Sequence, residues 1–314
     1  MITMRWILLF CIGYGLGFTA WAEPWPTNNA AVFTLENDVG LSGSDRYYTN
    51  GLHYKETLKA KNSKQGGALR WKGSLFGHEV HTPADFNFET PSNGEGERPY
   101  AGLLYFGTFS KTKKKDKGVE TQHIFGVIGP AAGAANIQRS WHQLLRAHQS
   151  VGPRDPAGWE HQLRDEPFYQ YVRRFTEFDS ANFHAGHQYQ IGNYKIDGSV
   201  FVDYTLRCEI LFFNVNASAT VVAYNGILQG GLLQRASGSA DPNGLDAEKL
   251  MTAVVQRQYG FGFSGRRYKV SLLSNYRSAE VRNQAFADKL EKEVLADSVY
   301  GVHNYWSLNM GYEF

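Results

Sequence analysis

The last nine residues, WSLNMGYEF at 306–314, constrain the fold more than any other stretch. Side chains of an extended strand alternate between its two faces. Trp306, Leu308, Met310, Tyr312 and Phe314 therefore share one face, and Ser307, Asn309, Gly311 and Glu313 share the other. An apolar face with aromatic ends, opposite a small and polar face, is the pattern of a strand with lipid on one side and a polar lumen on the other. A half-buried edge strand of a soluble sheet alternates in the same way, so the rest of the chain has to decide between them.

The N-terminus points to export. Arg5, an apolar run from Trp6 to Ala20 and the small-x-small triplet Ala20-Trp21-Ala22 read as a secretory signal peptide over residues 1–22. Residues 23–314 then form one β-barrel domain, with no apolar run near the length a spanning helix needs. An exported chain that is 14% aromatic and lacks such a helix fits an outer-membrane barrel, although composition alone also allows a secreted β-sandwich. A net charge of +2 gives no footprint for nucleic acid. Cys11 falls in the signal segment and leaves Cys208 alone, so no internal disulfide is expected.

Alternation and turn residues predict about twelve strands, near 29–37, 47–59, 69–80, 100–110, 119–128, 167–178, 182–191, 194–206, 209–224, 250–262, 266–278 and 303–314. The junction near Cys208 carries the weakest turn signal. Even-stranded barrels place both termini and the short turns in the periplasm and the long loops outside. Numbered from the N-terminus, the even connections are short and the odd ones mostly long, with a tight exception at Gly192-Asn193. The expected fold is an all-β, transmembrane antiparallel barrel of about twelve strands, with a helix in an extracellular loop. The basic run 111–117 reads as a solvated hairpin or a contact with anionic headgroups.

That helix lies in the third outer loop, 129–166. It starts after the Gly129-Pro130 break, runs for about 14 residues and ends in a Gly/Pro-rich stretch. Gln138 and His142 stand four apart and so share a face. Ile137, Trp141, Leu144 and Leu145 form an adjacent apolar stripe, expected mainly to pack on the barrel wall. By strand parity five polar stretches meet at the outer rim: 36–38, 45–51, 97–102, the Gln138/His142 pair and 158–166. Asn, Asp, Thr and backbone oxygens suit Ca²⁺, and histidine is the usual general base near neutral pH. No Gly-x-Ser-x-Gly elbow is present, and no convincing zinc spacing. Each of these residues also has an ordinary structural use. Asn37-Asp38 can simply be a turn, Asp45-Arg46 a rim ion pair, Trp159 an interfacial aromatic and His142 a helix hydrogen-bonder.

Together the stretches resemble the outer-membrane lipid A 3′-O-deacylases, the LpxR-like family. The matching pieces are Glu36-Asn37-Asp38, Asp45-Arg46-x-Tyr48-Thr49-Asn50-Gly51, Arg98-Pro99-Tyr100-Ala101-Gly102, Gly126-Val127-Ile128-Gly129-Pro130, Gln138-x₃-His142 and Gly158-Trp159-x₂-Gln162-Leu163-x-Asp165-Glu166. The likeness is dense between Leu35 and Glu166 and weaker afterwards. It implies an integral protein of the bacterial outer membrane, a monomer with its active site at the extracellular rim. Its substrate would be lipid A of lipopolysaccharide, among outer-membrane lipids, and its cofactor Ca²⁺. A His-activated water would attack the 3′ acyloxyacyl ester. His142 would be the base and Gln138 its neighbour; Asn37, Asp38 and Thr49 would shape the calcium site; Arg98 would hold a lipid A phosphate. The family pattern has an acid six residues after the histidine, where this chain has His148. Asp165 or Glu166 could take that role, or it could be absent. Residue 97 is Glu where the pattern has Asp. Two other functions stay open: another outer-membrane acyl hydrolase, phospholipase-like, and a non-enzymatic barrel acting as a pore or surface-binding protein.

Overall fold

The computed structural model describes residues 28–38, 47–60, 67–83, 99–148, 158–247, 250–278, 280 and 303–314. The expected signal peptide lies outside them. Twelve strands form a closed barrel: β1 (Ala30–Asn37), β2 (Tyr47–Lys59), β3 (Leu69–Thr82), β4 (Ala101–Lys114), β5 (Lys117–Ile128), β6 (Glu166–Asp179), β7 (Phe183–Gly192), β8 (Lys195–Cys208), β9 (Leu211–Asn225), β10 (Ala253–Ser264), β11 (Tyr268–Arg277) and β12 (His303–Glu313). Every strand pairs antiparallel with its sequence neighbours, and β1 closes on β12 from Ala30↔Glu313 to Asn37↔Trp306. Closure leaves no unpaired sheet edge to face hydrocarbon. The described helices are α1 (Ala134–His148) and the short α2 (Gly226–Gln229) and α3 (Leu232–Ala236).

Pairing register sorts the side chains. Phe76, Phe106 and Phe125 lie opposite one another on the outer face and are 41%, 64% and 46% exposed. Aromatic and aliphatic side chains exposed on this face meet lipid. The inner face is polar: Thr34 Oγ1 donates to Asn309 Oδ1 (2.8 Å), and Asn309 Nδ2 donates to Ser271 Oγ (3.2 Å). These bonds tie β1, β12 and β11 across the closure, as the alternation at 306–314 requires.

The ends that carry Ala30 and Glu313 also carry the tight turns, which makes this the periplasmic end. The junction after Cys208 is a two-residue turn, Glu209-Ile210, with Glu209 at φ 52°. It uses a left-handed residue that is neither Gly nor Asn, which is why its sequence signal is weak. The basic run 111–117 is a hairpin with an exposed tip at 114–117, and only Lys115 and Asp116 lie between strands β4 and β5; its first residue, Lys111, is instead buried in the lumen with its Nζ 2.8 Å from Glu120. Lys55 reaches the same carboxylate at 2.7 Å and lies over the Phe109 ring. With buried Trp71 and Phe109 these groups pack together in the periplasmic half of the lumen.

Asn309→Leu strips both bonds at the closure and leaves Thr34 and Ser271 buried without them. An orphaned buried polar group costs about 1–3 kcal/mol, so the barrel should lose roughly 2–4 kcal/mol. Reversible unfolding in denaturant, followed by the gel shift between folded and unfolded forms, measures this.

Candidate active site

The third outer loop leaves the wall as expected. After Gly129 a 3₁₀ turn over Pro130–Ala132 leads into α1. Helix α1 lies against β3 and β4. Register shows which side of the wall this is. Asn37 pairs with Trp306 and Asn50, Asn50 with Val80, and Val80 with Gly102. Directly paired residues share a face, so all of these stand on the outer side with Trp306. Ala134 packs with Val80, Tyr100 and Trp159 on that side. The helix is thus clamped to the outside of the barrel at its extracellular end.

Gly102 permits the clamp. A Cβ there would lie 2.8 Å from the Ala134 Cβ, 3.0 Å from the Ala132 Cβ and 3.1 Å from the Gly129 carbonyl oxygen. The backbone is locked at the same place, because the Gly129 N–H donates to the Gly102 carbonyl (3.0 Å) and His78 Nε2 lies 3.0 Å from the Ala132 carbonyl.

Among the described side chains of the helix, Ala134, Gln138 and His142 are buried, while Ile137 is 44% exposed and Trp141 half-buried. Leu144, Leu145 and His148 have side chains outside the described set. Polar side chains of the wall at this end are buried as well. Asn37, Asp38 and Thr49, like Gln138 and His142, are each 2% exposed. Asn37 Nδ2 donates to the Thr49 carbonyl (2.6 Å), and the hydroxyls of Thr49 and Thr82 are 2.6 Å apart. Thr49 is the extra residue of a β-bulge between Tyr48 and Asn50. The bulge lets Thr49 and Asn50 follow one another on the outer side, where strict alternation would have sent one inward.

Trp159 completes the pocket under the helix. Its 3₁₀ turn follows Gly158, its ring packs on Tyr100 at 4.9 Å, and its Nε1–H donates to Gln138 Oε1 (2.9 Å). Trp159 is therefore not an interfacial belt residue. With Oε1 held by the indole, the buried Gln138 Nε2 has no partner among the described residues. A buried amide N–H left unpaired in this way costs free energy unless something else accepts from it.

Asp165 and Glu166 have other duties than supporting His142. Asp165 Oδ1 accepts from the Ala131 N–H (2.7 Å), and the two oxygens of Glu166 accept from the Leu233 and Gln234 N–H groups at the start of α3 (3.0 and 3.1 Å). Both anchor loops. Arg98, Glu97, Asp45 and Arg46 lie outside the described residues. Other parts of the same sequence stretches face the lumen. Glu36 Oε2 is 3.3 Å from His53 Nε2, Tyr48 Oη is 3.2 Å from that nitrogen, and Tyr105 Oη is 2.8 Å from His53 Nδ1. A Cβ on Gly51 would strike Tyr48 Oη and lie 2.8 Å from His53 Nε2, so this position needs glycine. Sequence reasoning missed this inner cluster and the role of Trp159.

Could this site hold a cation? Asn37, Asp38 and Thr49 offer an amide oxygen, a carboxylate and a hydroxyl with its carbonyl, all hard donors on one buried patch. That donor set fits Ca²⁺, and it offers none of the nitrogen or sulfur ligands that zinc prefers.

The fold and site define an integral outer-membrane β-barrel with a buried polar site on the outer face of its wall. The family of the outer membrane protein LpxR matches residues 7–200, more than half of the sequence, and the chain belongs to this family. Among solved structures, LpxR from Salmonella typhimurium is similar with a TM-score of 0.66 at 15% identity, covering 91% of this chain and 100% of that one. The β domain of the Bordetella autotransporter BrkA is similar with a TM-score of 0.42 at 11% identity, covering 91% of this chain and 98% of that one. No curated protein sequence matches.

Gly102→Val should leave the barrel folded, because the added group points away from the lumen, but should lift α1 off the wall. The expected signs are an unchanged gel shift on heating and a red-shifted, more quenchable tryptophan emission from Trp141 and Trp159.

Proposed function

We propose that this chain is a Ca²⁺-dependent esterase that hydrolyses the 3′ acyloxyacyl ester of lipid A in the outer leaflet. The observation that carries this reading is that Gln138 and His142 are buried on a helix lying against the outer face of the wall, at the end where Asn37, Asp38 and Thr49 are also buried. A lipid of the outer leaflet meets the barrel there, and a lumenal substrate does not. Membership of the LpxR family supports lipid A as the substrate class.

His142 takes a proton from a water molecule as the water oxygen attacks the ester carbonyl carbon. A tetrahedral centre forms, and the bond from carbon to the sugar oxygen then breaks. His142 returns the proton to that oxygen, which leaves a sugar hydroxyl and a free fatty acid. Gln138 Nε2–H, aimed by the indole of Trp159, donates a hydrogen bond to the attacking water or the substrate. Asn37, Asp38 and Thr49 would hold Ca²⁺, which when bound supplies Lewis-acid polarisation of the ester carbonyl and charge for the oxyanion. Arg98 is proposed to hold a lipid A phosphate through its planar donor fork.

Purified protein with Ca²⁺ should release 3′-linked acyloxyacyl chains from lipid A, read by mass spectrometry of the product. Chelation should stop the reaction. His142→Ala, with the barrel intact by gel shift, should slow it on the order of 10²- to 10⁴-fold. Full activity in that variant, or activity indifferent to chelator, sinks the mechanism. Phospholipid cleaved in preference to lipid A would select the phospholipase-like alternative.

A further inference from the structure

We propose that the extracellular half of the lumen is a binding site for a small organic ammonium ion. This site is separate from the one under α1 and does not depend on the esterase reading. Its basis is a cavity of about 380 Å³ bounded by side chains of the inner face. The wall runs from Glu36 and Glu79 to Asn225, Ile227 and Glu280, which stand at the outer ends of their strands or just beyond, so the cavity reaches toward the extracellular rim. A water molecule occupies about 30 Å³ in the liquid, so the space can take a ligand of several heavy atoms.

The charge balance of the wall selects the class of ligand. Its lysine and arginine side chains are each matched by a carboxylate: Lys195 with Asp197 (2.9 Å), Arg277 with Glu280 (2.6 Å) and Arg174 with Asp203 (4.0 Å). Among the described residues, Glu36 and Glu79 have imidazoles as their ion-pair partners, His53 at 3.3 Å and His81 at 3.1 Å. Glu36 is 2% exposed, and its Oε1 has no hydrogen-bond partner among the described residues. His53 cannot supply one, because its two ring nitrogens already engage Glu36 Oε2, Tyr48 and Tyr105. A buried carboxylate oxygen without a partner is costly, and a cation beside it offsets that cost.

A cavity of this size is larger than a single metal ion needs and has room for an organic cation. An organic ammonium can bind through N–H donors, or through its charge alone, against one carboxylate and the faces of aromatic rings. Tyr48 and Tyr305 both line the cavity, with ring centroids 5.2 Å apart, and Tyr105 lines it beside His53.

The test uses the full chain in detergent, with chelator present so that no divalent-ion site contributes. Choline is titrated by calorimetry, beside its neutral isostere 3,3-dimethylbutan-1-ol. Choline should bind saturably, one per chain, at least about tenfold more tightly than the isostere, and Glu36→Gln should weaken choline about tenfold, as loss of one charge-assisted contact implies. The proposal is overturned if choline shows no saturable binding, if the neutral isostere binds as well, or if folded Glu36→Gln binds choline like the unaltered chain. Should that variant fail to fold, the comparison of choline with its isostere on the unaltered chain decides alone.

Discussion

Everything in this molecule follows from a wall one residue thick. Each strand position must face either hydrocarbon or lumen, and the next position faces the other way. Backbone hydrogen bonds are spent entirely within the closed ladder, so only side chains distinguish the two environments. The same rule that makes Phe106 a lipid contact makes its neighbour Tyr105 a lumenal hydrogen-bond partner of His53. It also means that a short polar stretch such as Glu36-Asn37 serves two compartments at once. Glu36 belongs to the inner cluster, and Asn37 belongs to the buried polar patch on the outer face.

This split explains how the candidate site is held. Its donors sit on β1 and on the bulge of β2, directly across the wall from the cluster of Glu36, Tyr48 and His53. The lumen therefore provides the floor for chemistry on the outside. On the other side, α1 is fastened by backbone contacts at Gly102 and Gly129 and by the indole of Trp159. Among its described side chains the helix buries the polar pair Gln138 and His142 together with Ala134, where an amphipathic helix normally buries an apolar stripe.

Much of the fold was legible in the sequence. All twelve strands were visible from alternation, and strand parity put the polar stretches at the outer rim. What alternation could not say was which side of the wall each polar side chain would occupy once a bulge had shifted the phase. Thr49 is the case in point: no turn residue or charge announces the extra position between Tyr48 and Asn50. Ile137 on α1 is a related case: helical periodicity shows which residues share a face but not what lies opposite, and this side chain is 44% exposed. In the basic run 111–117 charge marked solvent correctly at the exposed tip but not at Lys111, which shares the carboxylate of Glu120 with Lys55 inside the barrel. The roles of Asp165 and Glu166 as loop anchors depend on backbone groups at 131 and 233–234, too distant in sequence for any local pattern to reveal.

The fastening of α1 at Gly102 makes the candidate site a property of the assembled wall. Asn37, Asp38 and Thr49 come from β1, the residue after it and β2, whereas Gln138 and His142 follow β5, and Gln138 is held by Trp159, further on, whose ring packs on Tyr100. No single segment of the chain carries the candidate site, which exists only where early strands and the third outer loop are held at one place on the barrel.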